Sequence, residues 1–527
     1  MRKGLMMNYK KKIYFVMLIS LLAGGAFLRL ENIGKFSFWT DELFAVYAAK
    51  SYASENSFYV PYEGEHPYRK LVVYTTSFMF RFFGESEKTA RMPFAIANLL
   101  FILLSYILLS RILSRKAAIV VAFTMSFSPI FIQMSRECRS YTLHQLFYFL
   151  SSTAFILGFE YKENEAGFRV PQIARKYESK YQVNVLLLSA AIFFGYIAKN
   201  LQPLTYNLAF IIGGYSIVMM AIRLLVYRDF DRSAFKYTAV VIGIVMGALI
   251  QYILNYEHFV RMLKWSVSLP DWARFHNYSI HYYRWYLAEQ YPVFFYSYPL
   301  GLYFLVKDYR RKGIYFGLMF IIPFILHSLV YPLKSDRYIF YSIPYFLLGF
   351  GMVADKGISA FKNALTTTPL KEKAIIYIAF LPLIFFMLQP WFPLAMKEPN
   401  VNKFPNWLGF EDKLKASIGT AKVITTRPIE FFYYFKRKPD YAIVNSIPKN
   451  YNYGDDLLGN ENILMEVVKS QKDLYLVAYR RDLNYREFFN DKMKNIITEN
   501  MIEIDTGYEK SFIVLKKTLR PNYSGAQ

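Results

Sequence analysis

Apolar residues run along this chain in long blocks parted by short polar connections, and the blocks approach the roughly 20 residues of helix that cross a bilayer. They fall at 13–30, 92–110, 117–132, 141–159, 184–198, 205–222, 237–255, 291–306, 314–331, 338–353 and 374–391, which predicts eleven transmembrane helices. Several are interrupted by proline, as at Pro323 and Pro344, where a helix loses a donor and bends. The first block follows "MRKGLMMNYKKK" as a signal peptide would, yet no small-residue cleavage pattern succeeds it. It reads as the first transmembrane helix.

Between the first two blocks the signal weakens. In "HPYRKLVVYTTSFMFRFFG" the residues Leu71, Val72, Tyr74, Thr75, Phe78, Met79 and Phe82 recur at helical spacing. The stretch is too short and too polar at its ends for a span, so a helix lying in the interface is expected. An additional transmembrane helix here would invert every later loop. From about residue 402 the pattern becomes a soluble alternation. "AKVITTR", "DYAIVNS", "DLYLVAY" and "SFIVLKKT" read as strands, with "IEFFYYFKRK", "ENILMEVVKSQ" and "YREFFNDKMKNII" as helices between them. No glycine-rich phosphate loop opens any of these helices, which leaves the role of a lid or scaffold. The expected division is therefore a membrane domain over 1–391, with an outer loop at 31–91, followed by an extracytoplasmic α/β domain over 392–527.

Composition agrees with a polytopic membrane protein. Of 527 residues, 54% are hydrophobic and 19% aromatic, too apolar for one soluble domain. Lys and Arg outnumber Asp and Glu by 63 to 39, but no basic tract interleaves with a soluble nucleic-acid-binding fold, so nucleic acid is not an expected partner. Cytoplasmic loops and the anionic lipids around them explain the excess. One cysteine, Cys138, excludes an internal disulfide framework and a cysteine-based metal site. A Tyr-, Phe- and Lys-rich chain without disulfides fits a bacterial cell (inner) membrane. With a cytoplasmic N-terminus, alternate connections should be basic, and "RILSRK", "KENEAGFRVPQIARKYESK", "RLLVYRDFDRSAFK", "KDYRRKG" and "ADKGISAFKNALTTTPLKEK" all are. Residues 31–91, the other alternate loops and everything after about 392 then face outward.

Three charged clusters lie on that outer side. The first is Asp41-Glu42 in "FSFWTDELFAVY". Thr40 is a plausible cap for a helix through "DELFAVYAAKS", and acids in a first turn suit the positive end of a helix; a carboxylate held there beside lipid is also partly desolvated, which makes it a better base. The second, "MSRECRSYTLHQLF", carries Arg136, Glu137, Arg139 and Tyr141. The third, "YPLKSDRYIFYSIP", carries Lys334, Arg337 and Tyr338. Snorkelling at the headgroup level is the bland account of these cations. All four, however, share a face with Asp41, and planar bidentate Arg together with Lys is the usual way to hold phosphate. An anionic lipid-linked ligand is the economical explanation.

Taken in order, "FWTDEL", "EHPYRKLVVY", "RFFGESEKTARMPFAIANLL", "SPIFIQMSRECRSYTL" and "LKSDRYIFYSIPYFLLG" resemble the successive signatures of the GT-C glycosyltransferases, in the branch of the protein O-mannosyltransferases and lipid A aminoarabinose transferases. The matching motifs cover about residues 15–160 and 325–350. The resemblance implies a GT-C fold and an inverting sugar transfer from a polyprenyl-phosphate donor to a lipid, glycan or protein acceptor. It makes Asp41 the general base, gives Glu42 a supporting role, and assigns Arg136, Arg139, Lys334 and Arg337 to the donor phosphate. The leaving group is already a phosphate anion, so no acid partner is needed; charge stabilisation is. Some relatives hold a divalent metal with an acid matching Glu65 and a later outer-loop histidine. Here Glu65, His66, His276 and His281 supply oxygen and imidazole ligands, and whether they bind metal or are simply exposed stays open. "HPYRK" departs from the family's double proline after His66. The competing class is a transporter or flippase for lipid-linked sugars, but such proteins place charge near the midplane and often in repeated halves, and no internal repeat is evident. A non-catalytic scaffold explains neither the Asp41 loop nor the one-sided cations.

Overall fold

A computed structural model describes residues 2–61, 64–65, 69–161, 182–227, 235–257, 260, 264, 279–367, 406–443, 457–458, 461–484, 488–504 and 512–518. The chain opens with α1 (Arg2–Leu30). The outer loop follows, with α2 (Thr40–Glu55), the paired strands β1 (Tyr59–Val60) and β2 (Gly64–Glu65), and α3 (Lys70–Phe83). Next come α4 (Glu87–Ile112), α5 (Arg115–Phe127), α6 (Pro129–Ser135), α7 (Ser140–Phe159), α8 (Val185–Leu201), α9 (Asn207–Ile222) and α10 (Phe235–Leu254). After these come α11 (Tyr282–Gln290), α12 (Pro292–Ile325), the single turn α13 (Asp336–Ile339) and α14 (Ile343–Thr367). Contacts divide the molecule into two compact units, Met1–Glu31 with Phe94–Lys397 and Asn32–Pro93 with Glu398–Gln527. The outer loop thus packs in the same unit as the C-terminal residues.

The first unit is a helical bundle. Six described helical segments are long and apolar enough to cross a membrane, or up to seven when the bent pair α5 and α6 counts as one span. Ten of the eleven predicted blocks coincide with helix, and the eleventh, 374–391, lies outside the described residues. The α5–α6 bend of 61° has a local cause. Pro129 holds Ser128 in extended backbone at ψ 130°, which ends one helix and starts the next. In α12, Arg310 at φ 44° breaks the helix into the two predicted passes. Gly313 makes that reversal possible, since a Cβ there would lie 2.1 Å from the Leu305 carbonyl oxygen. The core is rich in aromatic residues, with Tyr148, Tyr215, Tyr315, Phe316 and Phe346 fully buried. One buried carboxylate, Glu160 at the end of α7, joins several helices. It accepts from Tyr215 at 2.8 Å, Tyr237 at 2.5 Å and Arg311 at 3.0 Å, with Lys236 at 3.6 Å.

The second unit contains a five-stranded sheet. Its elements are α15 (Phe410–Ile418), β3 (Lys422–Thr425), α16 (Pro428–Phe435), β4 (Tyr441–Ala442), α17 (Glu461–Ser470), β5 (Leu474–Tyr479), α18 (Asp491–Asn500), β6 (Met501–Glu503) and β7 (Phe512–Lys517). The order is β4-β3-β5-β7-β6. β3 pairs in parallel with both β4 and β5, setting Val423 against Tyr475, while β7 runs antiparallel to β5 and β6, setting Val514 against Val477. β5 is buried along its whole length, as expected of a central strand covered on both faces. The predicted strands are present, as are the helices predicted over "IEFFYYFKRK" and "ENILMEVVKSQ"; the helix expected from residue 485 starts only at Asp491, after Asn490 as its cap, with 485–487 outside the described residues. α15 and the three-residue β6 were not anticipated. In the outer loop, α3 buries Val72, Val73, Thr76, Met79 and Phe80 and leaves Tyr74, Phe78, Phe82 and Phe83 exposed. The helix thus carries large apolar side chains on its exposed side as well.

Candidate active site

The acidic pair sits in the first turn of α2. Trp39, extended at φ −96° and ψ 165°, occupies the N-cap position without a side-chain cap. The expected capping role of Thr40 is therefore corrected: Thr40 is already helical, and its hydroxyl donates to the Glu430 carboxylate. A distant acceptor has drawn the hydroxyl away from the local amides. The amides of Glu42 and Leu43 close onto the Trp39 carbonyl at 2.9 and 3.1 Å. Asp41 is half-buried, whereas Glu42 is 1% exposed.

Glu42 is neutralised by Arg91 of α4. The Arg91 Nε donates to Oε1 at 2.9 Å and Nη2 to Oε2 at 2.7 Å, a bidentate fork between two buried side chains. The same guanidinium donates to the carbonyls of Ile33, Phe36 and Ser37 at 3.2, 2.8 and 3.0 Å, and it lies 5.0 Å from the Phe38 ring centre. Arg91 belongs to the "RFFGESEKTARMPFAIANLL" stretch and Glu42 to "FWTDEL", so two separately noted motifs are bonded to each other. Removing one member of such a pair leaves an uncompensated buried charge, at a cost of about 3–5 kcal/mol.

The C-terminal residues brace the same turn. The Ser37 amide donates to Asn406 Oδ1 at 2.9 Å, the Phe38 amide to the Tyr434 hydroxyl at 2.6 Å, and that hydroxyl to Glu87 at 3.0 Å. Phe38 and Tyr47 pack edge-on against the Tyr433 ring, each with centres 5.6 Å apart. Glu430 itself is 1% exposed. Burial pushes its carboxyl above the ordinary value, with Arg427 and the Thr40 hydroxyl acting in the opposite direction.

The cations predicted to hold phosphate lie in the first unit, where the second and third clusters converge. Arg139, buried at the start of α7, stands over the Tyr141 ring at 4.9 Å. Arg337 stands over the Tyr338 ring at 5.2 Å and reaches its hydroxyl at 3.4 Å. Tyr338 in turn lies within the electrostatic reach of Tyr141 and Arg139, so Arg139, Tyr141, Arg337 and Tyr338 form one cluster. Arg136 caps α6 and donates to the Leu28 carbonyl at 3.3 Å. Glu137 accepts from the Gln133 amide at 3.4 Å. Lys334 is buried, and its ammonium donates to the carbonyls of His327, Ser328 (2.9 Å) and Tyr331, closing a helix end whose carbonyls would otherwise lack donors.

Two features escaped sequence reasoning. Arg29, fully buried, donates to Asn98 Oδ1 at 2.8 Å and to the carbonyls of Gly25, Met125 and Ser126; an arginine at the end of an apolar block was the available signal. A buried polar network also links α7 to the residues before α14. His144 meets Thr205 at 2.9 Å, His327 meets the Tyr341 hydroxyl at 3.2 Å, and Asn207 bonds both Tyr341 and Tyr331. Of the metal candidates, Glu65 and His281 are exposed, while His66 and His276 lie outside the described residues. Among the described residues no group of three His, Cys, Asp or Glu converges on a metal position.

The sequence profile of the dolichyl-phosphate-mannose-protein mannosyltransferases matches residues 65–227. No curated protein sequence is significantly similar to the chain. Among solved structures, ArnT from Cupriavidus metallidurans in the apo state matches with a TM-score of 0.58 at 13% identity, over 96% of this chain and 98% of that one. ArnT bound to undecaprenyl phosphate matches at 0.56 and 13% identity, over 98% and 99% of the two chains. The oligosaccharyltransferase AglB from Archaeoglobus fulgidus, in complex with an inhibitory peptide and a dolichol-phosphate, matches at 0.58 and 15% identity, over 89% of this chain and 70% of that one. The chain has the fold of these multi-pass membrane glycosyltransferases, with helical spans and an α/β region.

Proposed function

We propose that this chain is a membrane glycosyltransferase that moves a sugar from a polyprenyl-phosphate donor to an acceptor on the outer face of a bacterial cell membrane, with inversion. The motif order, the mannosyltransferase profile over 65–227 and the fold shared with a protein solved with undecaprenyl phosphate support the donor class. The observation that bears most on the mechanism is the Glu42–Arg91 fork, which commits Glu42 to the architecture; Asp41, half-buried in the first turn of the same helix, is the acid read as the base.

In this reading Asp41 takes the proton of the acceptor hydroxyl or amine as that atom forms its bond to the anomeric carbon. The bond from the anomeric carbon to the phosphate oxygen breaks, and its electron pair leaves with the phosphate. Arg139 and Arg337, together with Arg136, stabilise that charge, while Lys334 holds the loop before α13. The N-terminus is cytoplasmic and the α/β domain extracytoplasmic, in agreement with the basic alternate loops.

Purified protein reconstituted with a lipid-linked sugar and candidate acceptors provides the test. Asp41→Asn should lower turnover by roughly 10²–10⁴-fold, the range of general base catalysis, with normal membrane insertion. Retained transfer removes Asp41 from this role. Movement of the lipid-linked sugar across liposomes without its consumption replaces the enzyme reading with a transporter.

A further inference from the structure

Asp41 is bracketed by two neighbours whose side chains are each pinned by a separate buried partner. On one side Glu42 is held by the Arg91 fork; on the other, the Thr40 hydroxyl is held by Glu430. Glu430 lies in the first turn of α16, within the C-terminal residues. We propose that Glu430, acting through the Thr40 hydroxyl, is a positioning residue for Asp41, so that the C-terminal α/β domain forms part of the catalytic device. The inference rests on the reading of Asp41 as the base.

Three observations carry it. First, a carboxylate that is 1% exposed is costly to bury, and a hydrogen-bond partner is what offsets that cost. The nearby cation, Arg427, is already committed to Asp482, donating through Nε at 3.0 Å and Nη2 at 2.7 Å. Asp482 also accepts from Thr426 at 2.8 Å. Thr40 is thus the side-chain donor directed at Glu430. Second, the helix start is unusual in its supports. Its N-cap is Trp39, which makes no side-chain cap, so the turn that carries Asp41 is held through tertiary bonds at 37, 38, 40 and 42. Third, Asp41 follows Thr40 directly, and the φ and ψ angles of this turn set the direction of its carboxylate. A misplacement of about 1 Å in a reacting group costs on the order of 10²-fold in rate.

The experiment uses the full-length protein reconstituted with lipid-linked donor and acceptor. Thr40→Val keeps the side-chain shape and removes the donor. It should lower kcat by roughly 10–100-fold with little change in the KM for donor. Thr40→Ser, which restores the hydroxyl, should return kcat to within a few-fold of wild type, and Glu430→Leu should reproduce the Thr40→Val defect. Hydrogen exchange provides a readout that does not depend on activity: the amides of Glu42 and Leu43 should exchange faster in Thr40→Val. Wild-type kcat in Thr40→Val, failure of Thr40→Ser to rescue, or unchanged exchange overturns the proposal. If Glu430→Leu does not fold, the two Thr40 variants decide alone. Asp41→Asn run in parallel separates the two failures, since turnover retained there removes the base assignment, whereas turnover lost there with Thr40→Val intact removes only the role of Glu430.

Discussion

At the acidic turn, Glu42 is neutralised by two short bonds from Arg91 and the surrounding carbonyls are tied to the same guanidinium. At the arginine–tyrosine cluster, Arg139 and Arg337 instead lie over the rings of Tyr141 and Tyr338. The first arrangement is stiff, because breaking it strands a charge in a buried site. The second contact is softer, since a ring beneath a guanidinium contributes only about 0.5–2 kcal/mol. The two regions share one trait. Each contains a charge that is conspicuous in sequence and spent on architecture in the fold, Glu42 in one and Lys334 in the other. Charge density along the chain therefore overcounts the groups left for chemistry.

The contrast in stiffness has a direct test. Arg91→Met strands Glu42, and should lower stability by about 3–5 kcal/mol, seen as a large fall in the thermal unfolding midpoint in detergent. Adding Glu42→Leu to the same chain should recover much of that loss, because two apolar groups of similar size replace the pair. Asp41→Asn, one residue away, should leave the midpoint near wild type. A stable Arg91→Met single variant would mean that the fork is not what holds the turn.

The softer region should respond in affinity rather than in stability. Arg139→Gln and Arg337→Gln each remove a charged donor, worth about 1.5–3 kcal/mol when it bonds a charged partner. The KM for the lipid-linked donor should rise by roughly 10–100-fold, with a small shift in the unfolding midpoint. A large fall in stability with unchanged KM would place both arginines with Glu42 among the architectural charges.

Much of this layout was legible because it depends on local pattern. Long apolar blocks predicted helix at ten positions within the described residues, and the short runs read as strands after residue 402 gave β3, β5 and β7. The misses also have physical causes. β6 spans only Met501–Glu503, too few residues to display a period. The capping rule failed at Thr40 because the helix starts one residue earlier than expected, with Trp39 at the N-cap, and the Thr40 hydroxyl donates instead to Glu430, 390 positions away. Glu42 and Arg91 are 49 positions apart, and nothing in either motif announces the other. Charged residues were identifiable from sequence, but their pairing was decided by the fold.

Lys334 provides the finest distinction between the two regions. Its ammonium sits among three backbone carbonyls, the position of a cation closing a helix end. Were it a phosphate ligand, Lys334→Met should raise the KM for donor as Arg337→Gln does, and leave stability almost untouched. As an architectural cation, its loss leaves carbonyls without their donor and should cost roughly 1–2 kcal/mol, with the KM close to wild type. The second outcome is expected, because an ammonium has only three protons to give and here each is directed at a carbonyl. A donor added to the assay discriminates further: it should raise the unfolding midpoint of Lys334→Met by the same increment as that of wild type, since ligand stabilisation depends on affinity and concentration alone.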